Sequence, residues 1–413
     1  MMRVLWFEVT TPSVYMSGGD PIGGWQDSLE RIVRTISDLE LIIAFVSEKQ
    51  SEIKVIGGVT YVPIYTRWSF LERKVKKYWD LYVKKILPEA RSIVEKYTPD
   101  LIQVFGTEWP FGQIAAYTDI PVIIHIMGAI VPYNNANYPP NYSIQGEVSL
   151  NWWNPMRLLH IWKKQRNSKN WEQWEKSTWR LVKYYMGRTQ WDESLSRVMH
   201  PGRSYFHVDE ALRLSFTRGD YSWTLPKDDK IRIMTIGCGS LWKGLDMMLK
   251  VAKILVDLGV DFEWNVAGNI PPELKRIVEH NEKACFEEYN IHIMGYKQPD
   301  DLIKYLCSST IYVHTAYVEN SPNSICEAQC LGVPVVSTNV GGIASLIRQN
   351  IDGLLVAAND PWQMADAIIE LCKDKERLVC FSKSSKKKAL ARHDDEQIKL
   401  QLIECYRMVL ENK

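Results

Sequence analysis

Short apolar runs rich in β-branched residues alternate with longer stretches of helical periodicity along most of the chain. This alternation predicts α/β architecture with parallel sheets, because each parallel strand needs a crossover segment before the next. The predicted strands lie near residues 3–9, 41–46, 101–105, 122–125, 231–236, 262–267, 291–294, 310–314 and 335–337. Ligands of such sheets bind beyond the carboxyl ends of the strands, so the loops after the strands are the candidate functional segments.

The chain is too long for one ordinary hydrophobic core. Its 413 residues suit two domains of about 200 residues each. The polar, turn-rich stretch 217–230 is the best candidate linker. We therefore expect an N-terminal domain over 1–218, a C-terminal domain over 219–394 and a final amphipathic helix over 395–413.

The bulk composition is that of a soluble globular protein, with 46% apolar and 24% charged residues. A formal net charge of +1 gives no whole-molecule attraction to nucleic acid or membrane. No apolar run reaches the length of about 20 residues that a membrane-spanning helix needs. The cysteines begin at Cys238 and form no CxxC pair, which favours free thiols in a reducing cytoplasm.

A segment with helix-start and helix-stop signals follows the predicted strand 310–314. Ser321 is a candidate cap, Pro322 suits the first helical position and Gly332 is typical of a helix end. The first N–H groups of a helix have no partner within it, and together with the helix dipole they favour a bound diphosphate. The residues expected to supply these groups are Asn323, Ser324 and Ile325.

Two glutamates flank this helix start. Glu327 lies one turn into the helix, and its carboxylate is suited to accept hydrogen bonds from both hydroxyls of a ribose. Glu319 lies on the preceding loop, within expected reach of a sugar attached to the diphosphate. The alternative interpretation is a pair of solvated surface glutamates.

The segment 317–337, with Asn339-Val340-Gly341-Gly342 after it, closely resembles the donor-binding signature of retaining glycosyltransferases of family 4. The resemblance implies the GT-B fold, in which two Rossmann-like, doubly wound domains face each other across a cleft and the last helix crosses back to the first domain. It also implies a nucleotide-diphosphate-sugar donor of the UDP or GDP type, without metal or other cofactor. It assigns Glu327 to the ribose and Glu319 to the donor sugar near the reacting carbon.

A second loop, residues 236–244, is similar to the Gly-Arg-x4-Lys-Gly loop of the same family. Lys243 matches the lysine that contacts the diphosphate and offsets leaving-group charge. The arginine position holds Cys238, so phosphate stabilisation is expected to depend on Lys243 and the helix terminus. A solvated lysine is the alternative. After another strand, Tyr296 is a candidate contact of the base or an ordinary turn residue.

The N-terminal half carries weaker signals. Gly23 and Gly24 match the family's Gly-Gly loop against the donor phosphates, and Trp25 begins the next helix on the acceptor side. His125 ends a strand where family members often have a histidine that faces the reacting sugar, although a structural histidine is the alternative. Glu108 follows another strand and is a candidate acceptor contact.

The stretch 151–188 is rich in tryptophan and in cations, with few opposing acids. This composition suits the interface of an anionic membrane, stacking on an extended saccharide, or packing of the tryptophans on the first domain. The tryptophans are Trp152, Trp153, Trp162, Trp171, Trp174 and Trp179, and the cations are Arg157, Lys163, Lys164, Arg166, Lys169, Lys176, Arg180, Lys183 and Arg188.

Together these features predict a retaining, metal-independent glycosyltransferase of the cytoplasm, peripheral to the inner face of the membrane if the tryptophan-rich stretch contacts lipid. Its expected role is transfer to a glycan or lipid-linked acceptor in polysaccharide or glycoconjugate synthesis. No Asp-x-Asp pair stands at a strand end to hold a metal on a diphosphate. The alternatives are a nucleotide-sugar epimerase and a non-catalytic nucleotide-sugar-binding or scaffold protein.

Overall fold

The computed structural model describes residues 1–15, 25–47, 49–66, 69 and 79–412, without the side chains of 25 and 79–82. The chain forms two compact units. Unit 1 comprises Met1–Val131, Trp162–Arg213 and Asp394–Lys413, and unit 2 comprises Pro132–Ile161 and Leu214–His393.

The strands are listed in chain order: β1 Met2–Glu8, β2 Leu39–Ser47, β3 Lys54–Ile56, β4 Val59–Tyr65, β5 Leu101–Phe105, β6 Val122–His125, β7 Tyr184–Gly187, β8 Ser204–His207, β9 Ile231–Ile236, β10 Phe262–Ala267, β11 Ile291–Gly295, β12 Ile311–His314, β13 Val335–Thr338 and β14 Leu354–Val356.

The helices follow in the same order: α1 Trp25–Val33, α2 Trp79–Tyr97, α3 Ile130–Asn135, α4 Ile144–Leu150, α5 Pro155–Leu181, α6 Gln190–Met199, α7 Leu214–Thr217, α8 Leu245–Asp257, α9 Pro272–Glu282, α10 Pro299–Ser308, α11 Asn323–Leu331, α12 Ile343–Leu346, α13 Pro361–Lys373, α14 Lys375–Arg392 and α15 Asp395–Glu411.

The sheet of unit 1 has the strand order β3-β4-β2-β1-β5-β6-β7-β8 among the described residues. Its strands are parallel, except that β3 pairs antiparallel with β4 at the edge. Alternate residues of β1 enter different cores, because side chains of a strand point to opposite faces. Trp6 therefore packs in one hydrophobic core and Phe7 in the other.

The C-terminal helix α15 belongs to unit 1. Its apolar side chains, including Leu402 and Val409, lie in the same core as Trp6. The indole N–H of Trp6 donates to the hydroxyl of Tyr406 over 3.0 Å, and that hydroxyl donates in turn to Gln103 on β5. The last helix thus closes one face of the unit 1 sheet.

The sheet of unit 2 is parallel, with the order β11-β10-β9-β12-β13-β14 in the part of the chain that the structure describes. This is the Rossmann order, in which the first strand has the second on one side and the fourth on the other. The direction of winding changes between β9 and β12. The loops after these two strands therefore meet at the carboxyl edge of the sheet, where ligands of this fold bind.

The observed division differs from the predicted domain boundaries in two respects. The units separate after Arg213 instead of after residue 218, and the tryptophan-rich stretch 151–188 is divided after Ile161. The second difference has a physical cause within unit 2, because residues 132–161 pair with α9. The phenol of Tyr142 donates to Glu282 over 2.8 Å, Arg276 donates to Asn151 over 2.9 Å, and Arg157 forms an ion pair with Glu273.

Candidate active site

The loops after β9 and β12 are joined directly to each other in unit 2. The backbone N–H of Tyr317 donates to the carbonyl of Trp242 over 2.8 Å, and the Thr315 hydroxyl donates to the carbonyl of Lys243 over 3.0 Å. Gly244 has a positive φ of 77°, and a Cβ there would lie 1.9 Å from the carbonyl oxygen of Thr315. Glycine is required at this close approach, which sets the position of Lys243.

This junction brings Lys243 and Glu319 together. The Lys243 ammonium lies 2.5 Å from a carboxylate oxygen of Glu319, and Nε2 of His314, the last residue of β12, lies 3.8 Å from the same oxygen. The Glu319 side chain is buried, whereas that of Lys243 is partly exposed. The predicted donor-site lysine and glutamate therefore form one charged pair, and neither is a solvated surface residue.

Burial and charge act in opposite directions on this group of residues. Burial alone would raise the pKa of the Glu319 carboxyl, but the charge of Lys243 and the neighbouring His314 outweigh it and hold the pKa below its ordinary value. Burial lowers the pKa of His314 despite the nearby carboxylate. At neutral pH the cluster therefore contains an ionised Glu319 and a neutral His314.

The backbone of Glu319 is held by a glycine pair. The N–H of Gly342 donates to the Glu319 carbonyl over 3.0 Å. Gly341 has a φ of 52°, and a Cβ there would lie 1.9 Å from the same carbonyl oxygen. On the other side, the Thr338 hydroxyl donates to the carbonyl of Ala316 over 2.6 Å. The loop after β13 thus fixes the loop that carries Glu319.

Helix α11 begins one residue later than predicted. Its N-cap is Pro322, with an extended backbone and no side-chain cap of its own, and Asn323 is the first helical residue. The N–H of Ile325 donates to the Pro322 carbonyl over 3.0 Å. The prediction that Ile325 supplies a free N–H was therefore wrong, because a tight first turn uses that group. Gly332 ends the helix in the left-handed conformation, as predicted.

Glu327 lies on α11, four residues after Asn323. Residues at this spacing share a helix face, so Glu327 follows the helix start on the side of Asn323. The Glu327 side chain is buried in unit 2, which contradicts the alternative of a solvated surface glutamate.

Cys238 is buried in the loop after β9. Burial raises the pKa of its thiol to about 12, although Lys243 acts in the opposite direction. The thiol is neutral at physiological pH and contributes no positive charge at the position where the resembling family has arginine.

Trp242 and Tyr133 border the lysine. The Lys243 ammonium lies 4.6 Å from the ring centre of Trp242, within the range of a cation–π interaction. The ring of Tyr133 meets Trp242 edge-on at 4.8 Å. Residues 132–161 thus contribute an aromatic contact beside the lysine of unit 2.

Tyr296 follows the edge strand β11 and is half-exposed. Its hydroxyl lies 3.5 Å from the side-chain oxygen of Gln298. The structure places it on the loop after the edge strand, at the carboxyl edge of the sheet. Its role remains a prediction.

The unit 1 candidates lie at the ends of two adjacent strands: Glu108 follows β5 in the next loop, and His125 is the last residue of β6. Burial raises the pKa of Glu108 to about 7 and lowers the pKa of His125 to about 3. His125 is fully buried, and its ring stacks on Phe105 with centres 5.8 Å apart. Burial favours the structural interpretation of His125, and its predicted contact with the reacting sugar is untested.

Three candidates of unit 1 lie wholly or partly outside the described residues. Gly23 and Gly24 lie outside the described residues, and Trp25 begins α1 with its side chain outside them. Their predicted contacts with donor phosphates and acceptor stay predictions.

Two residues of the unit 2 site were not identified from the sequence. His314 was assigned only to the end of a strand, although the strand-end position is the signal that drew attention to His125. Gly341 was noted only as part of the pattern after the glutamates. Its contact with the Glu319 backbone depends on the adjacency of β12 and β13, which no local pattern contains.

The comparisons with known proteins agree with this geometry. Residues 220–388 match the family model of glycosyl transferases group 1. The amylovoran biosynthesis glycosyltransferase AmsK of Erwinia amylovora is 25% identical over 158 residues, which are 36% of this chain and 38% of that protein. The chain thus spans well under two thirds of this curated relative.

Solved structures resemble the whole chain. Sucrose-phosphate synthase from Thermosynechococcus elongatus has a TM-score of 0.73 at 14% identity, with complete coverage of both chains. HepE of Anabaena in complex with UDP-glucose has a TM-score of 0.65 at 14% identity and covers 99% of this chain and 100% of its own. These likenesses establish the GT-B fold. The part of the chain that matches the family model contains Lys243, Glu319 and Glu327.

Proposed function

We propose that this protein is a retaining, metal-independent glycosyltransferase that uses a nucleotide-diphosphate sugar. The observation that carries the proposal is the Lys243–Glu319 pair at the switch point of a Rossmann sheet, immediately before the start of α11. A ligand-binding edge, a lysine and a helix N-terminus occur there together, as diphosphate recognition requires.

In this proposal the diphosphate is bound by Lys243 and by the backbone N–H groups of Asn323 and Ser324. Charge develops on the diphosphate as it leaves the sugar, and a lysine placed beforehand stabilises that charge without reorganisation. Since Cys238 is a neutral thiol, Lys243 carries most of this stabilisation.

The two glutamates have different proposed roles. Glu327 accepts hydrogen bonds from the ribose hydroxyls, and Glu319 acts beside the reacting carbon of the donor sugar. A retaining glycosidase has carboxylates on both sides of the bond, about 5 Å apart. Glu319 and Glu327 both belong to the donor unit, which favours a front-face displacement over a covalent glycosyl intermediate.

Metal independence is supported by the positions of the aspartate pairs. Asp228 forms an ion pair with Arg232 at 2.7 Å, and Asp229 with Lys375 at 2.8 Å, in the segment before β9. Asp300 and Asp301 lie in the first turn of α10. Neither pair belongs to the Lys243 loop.

The proposed acceptor is a glycan or a lipid-linked saccharide in polysaccharide or glycoconjugate synthesis. The support comes from the relative AmsK, whose name assigns it to biosynthesis of amylovoran. The UDP-glucose complex of HepE supports a UDP-type donor, with a GDP-type donor as the alternative.

A non-catalytic nucleotide-sugar-binding protein is a second candidate, favoured by the neutral thiol of Cys238.

A thermal-shift screen of UDP, GDP and other nucleoside diphosphates identifies the nucleotide base that the protein binds. Incubation with the matching nucleotide sugars and a panel of acceptors then measures release of nucleoside diphosphate, and NMR gives the anomeric configuration of the product. Transfer with retention supports the proposal. Binding without turnover favours the second candidate, and a changed donor sugar without release of diphosphate indicates an epimerase.

A further inference from the structure

Large apolar side chains are exposed together at the start of α5 and in the turn before it. We call this set the tryptophan face, and its members are Trp152, Trp153, Met156, Leu159 and Trp162. Trp152 and Met156 have 75% and 76% of their surface exposed, and even Leu159 has 44%. By contrast, Trp179 near the other end of the helix is fully buried and stacks on Tyr185. Internal packing therefore accounts for the end of the helix but not for its start.

Cations continue the same helix face. Lys163, Arg166 and Lys169 follow Leu159 and Trp162 at spacings of three and four residues, which places them on one side of α5. The guanidinium of Arg166 lies 5.6 Å from the ring centre of Trp162. The sequence has no aspartate or glutamate from Val148 to Trp171. The face is therefore apolar at one end and positively charged at the other, without acids of its own.

We propose that the tryptophan face and the cations after it dock on the surface of an anionic lipid bilayer. Tryptophan favours the boundary between headgroups and acyl chains, and lysine and arginine are attracted to anionic headgroups. The helix lies along the surface in this arrangement. No helix in the described parts of the chain is long and apolar enough to cross a membrane.

The charge of the face favours an anionic bilayer over a second copy of the chain as its binding partner. In a symmetric dimer the same patch faces itself. The interface would then combine Lys163, Arg166 and Lys169 of both copies without any acid of the face, and like charges oppose association. A neutral saccharide would match the aromatic rings but not the cations. A bilayer with anionic lipid matches both parts of the face.

The test is co-sedimentation of the full chain, without nucleotide, with vesicles of phosphatidylcholine alone or mixed with phosphatidylglycerol. Two variants test the apolar and the cationic parts separately. The first combines Trp152→Ser with Trp153→Ser, and the second combines Lys163→Gln, Arg166→Gln and Lys169→Gln. The matched controls are Trp362→Ser, which removes a tryptophan that is 71% exposed on α13, and Lys383→Gln with Lys387→Gln, which removes cations of α14. Calorimetric binding of nucleoside diphosphate to each variant checks that unit 2 is intact.

We expect binding to the anionic vesicles at low salt and weaker binding at high salt. Loss of the three cations is expected to reduce the partition coefficient by about a hundredfold, from about fivefold for each cation. The tryptophan variant should reduce binding at both salt concentrations, and the controls should leave it unchanged. Equal binding to both kinds of vesicle, or no binding at low salt, overturns the proposal. So does self-association of the wild-type chain that the tryptophan variant abolishes. These outcomes do not depend on whether the chain transfers a sugar.

Discussion

The ammonium of Lys243 lies 2.5 Å from a carboxylate oxygen of Glu319, although 76 residues separate them in the chain. The pair exists because β9 and β12 are neighbours at the switch point of the unit 2 sheet. The carboxylate thus holds the lysine beside the loop that leads into α11. In the proposed function, the diphosphate of the donor competes with Glu319 for this ammonium.

Lys243→Met is expected to weaken nucleoside diphosphate binding. Loss of a charge-assisted hydrogen bond costs about 1.5 to 3 kcal/mol, which is roughly a ten- to hundredfold loss of affinity. The measurement is isothermal titration calorimetry, with Lys387→Met as a control that removes an exposed lysine of α14. Unchanged affinity in Lys243→Met would remove this lysine from the donor site.

Gly341→Ala is expected to lower kcat more than Gly219→Ala does. A Cβ at this position would lie 1.9 Å from the Glu319 carbonyl oxygen, and φ is 52°. Gly219→Ala is the matched control, because φ is 82° there and nothing lies within 4 Å of the added Cβ. Both substitutions place alanine in the left-handed region at a cost of about 1 to 2 kcal/mol. Equal kcat values for the two variants would show that the contact of Gly341 does not position Glu319.

The buried carboxyl of Glu108 should make stability depend on pH. Burial raises its folded-state pKa to about 7, whereas an unfolded glutamate titrates near pH 4.3. Between these values the folded state holds the extra proton, so the contribution of Glu108 to the free energy of unfolding decreases as pH rises, by up to about 4 kcal/mol. Urea unfolding at several pH values should show a shallower decrease for Glu108→Gln than for wild type or for the surface control Glu376→Gln. Parallel curves for all three proteins would contradict the raised pKa.

Chelation is expected to leave transfer activity unchanged. Asp228 and Asp229, the aspartate pair just before β9 in the sequence, are paired with Arg232 and Lys375. Lys243 and the helix terminus are proposed to supply the positive charge that a metal supplies elsewhere. The assay compares initial rates with and without EDTA, followed by addition of Mg²⁺ or Mn²⁺. A rate that is lost in EDTA and restored by either ion would refute the proposed mechanism.

The sequence was sufficient for the long strands and for the positions of Lys243 and Glu319 in the loops after them. Buried strands such as Ile231–Ile236 have continuous apolar runs, and Glu319 and Lys243 stand directly after such strands. Short or interrupted strands were missed. Val59–Tyr65 contains Pro63, and Leu354–Val356 has only three residues. Their strand conformation depends on pairing with neighbours, which local propensity does not contain.

Sequence reasoning also failed where tertiary contacts decide the outcome. The stretch 151–188 was treated as one insertion of the first domain, yet Arg157 pairs with Glu273 of α9 in unit 2. The N–H of Ile325 was expected to be available, but the first turn of α11 uses it. The burial of Cys238 and its neutral thiol follow from packing around β9, whereas the sequence showed only the absence of arginine.

The most direct test of the account separates the roles of Glu319 and Glu327. Isothermal titration calorimetry with nucleoside diphosphate is paired with steady-state transfer rates for Glu319→Gln and Glu327→Gln, with Glu376→Gln as the surface control. Glu327→Gln should weaken binding and raise KM more than it lowers kcat, because the ribose is held equally in the ground state and the transition state. Glu319→Gln should lower kcat by about a hundredfold or more without weakening nucleotide binding, because it acts where charge develops and because the change releases Lys243. Loss of nucleotide binding in Glu319→Gln with unchanged binding in Glu327→Gln would reverse the two roles, and wild-type behaviour of both variants would contradict the assignment of the active site.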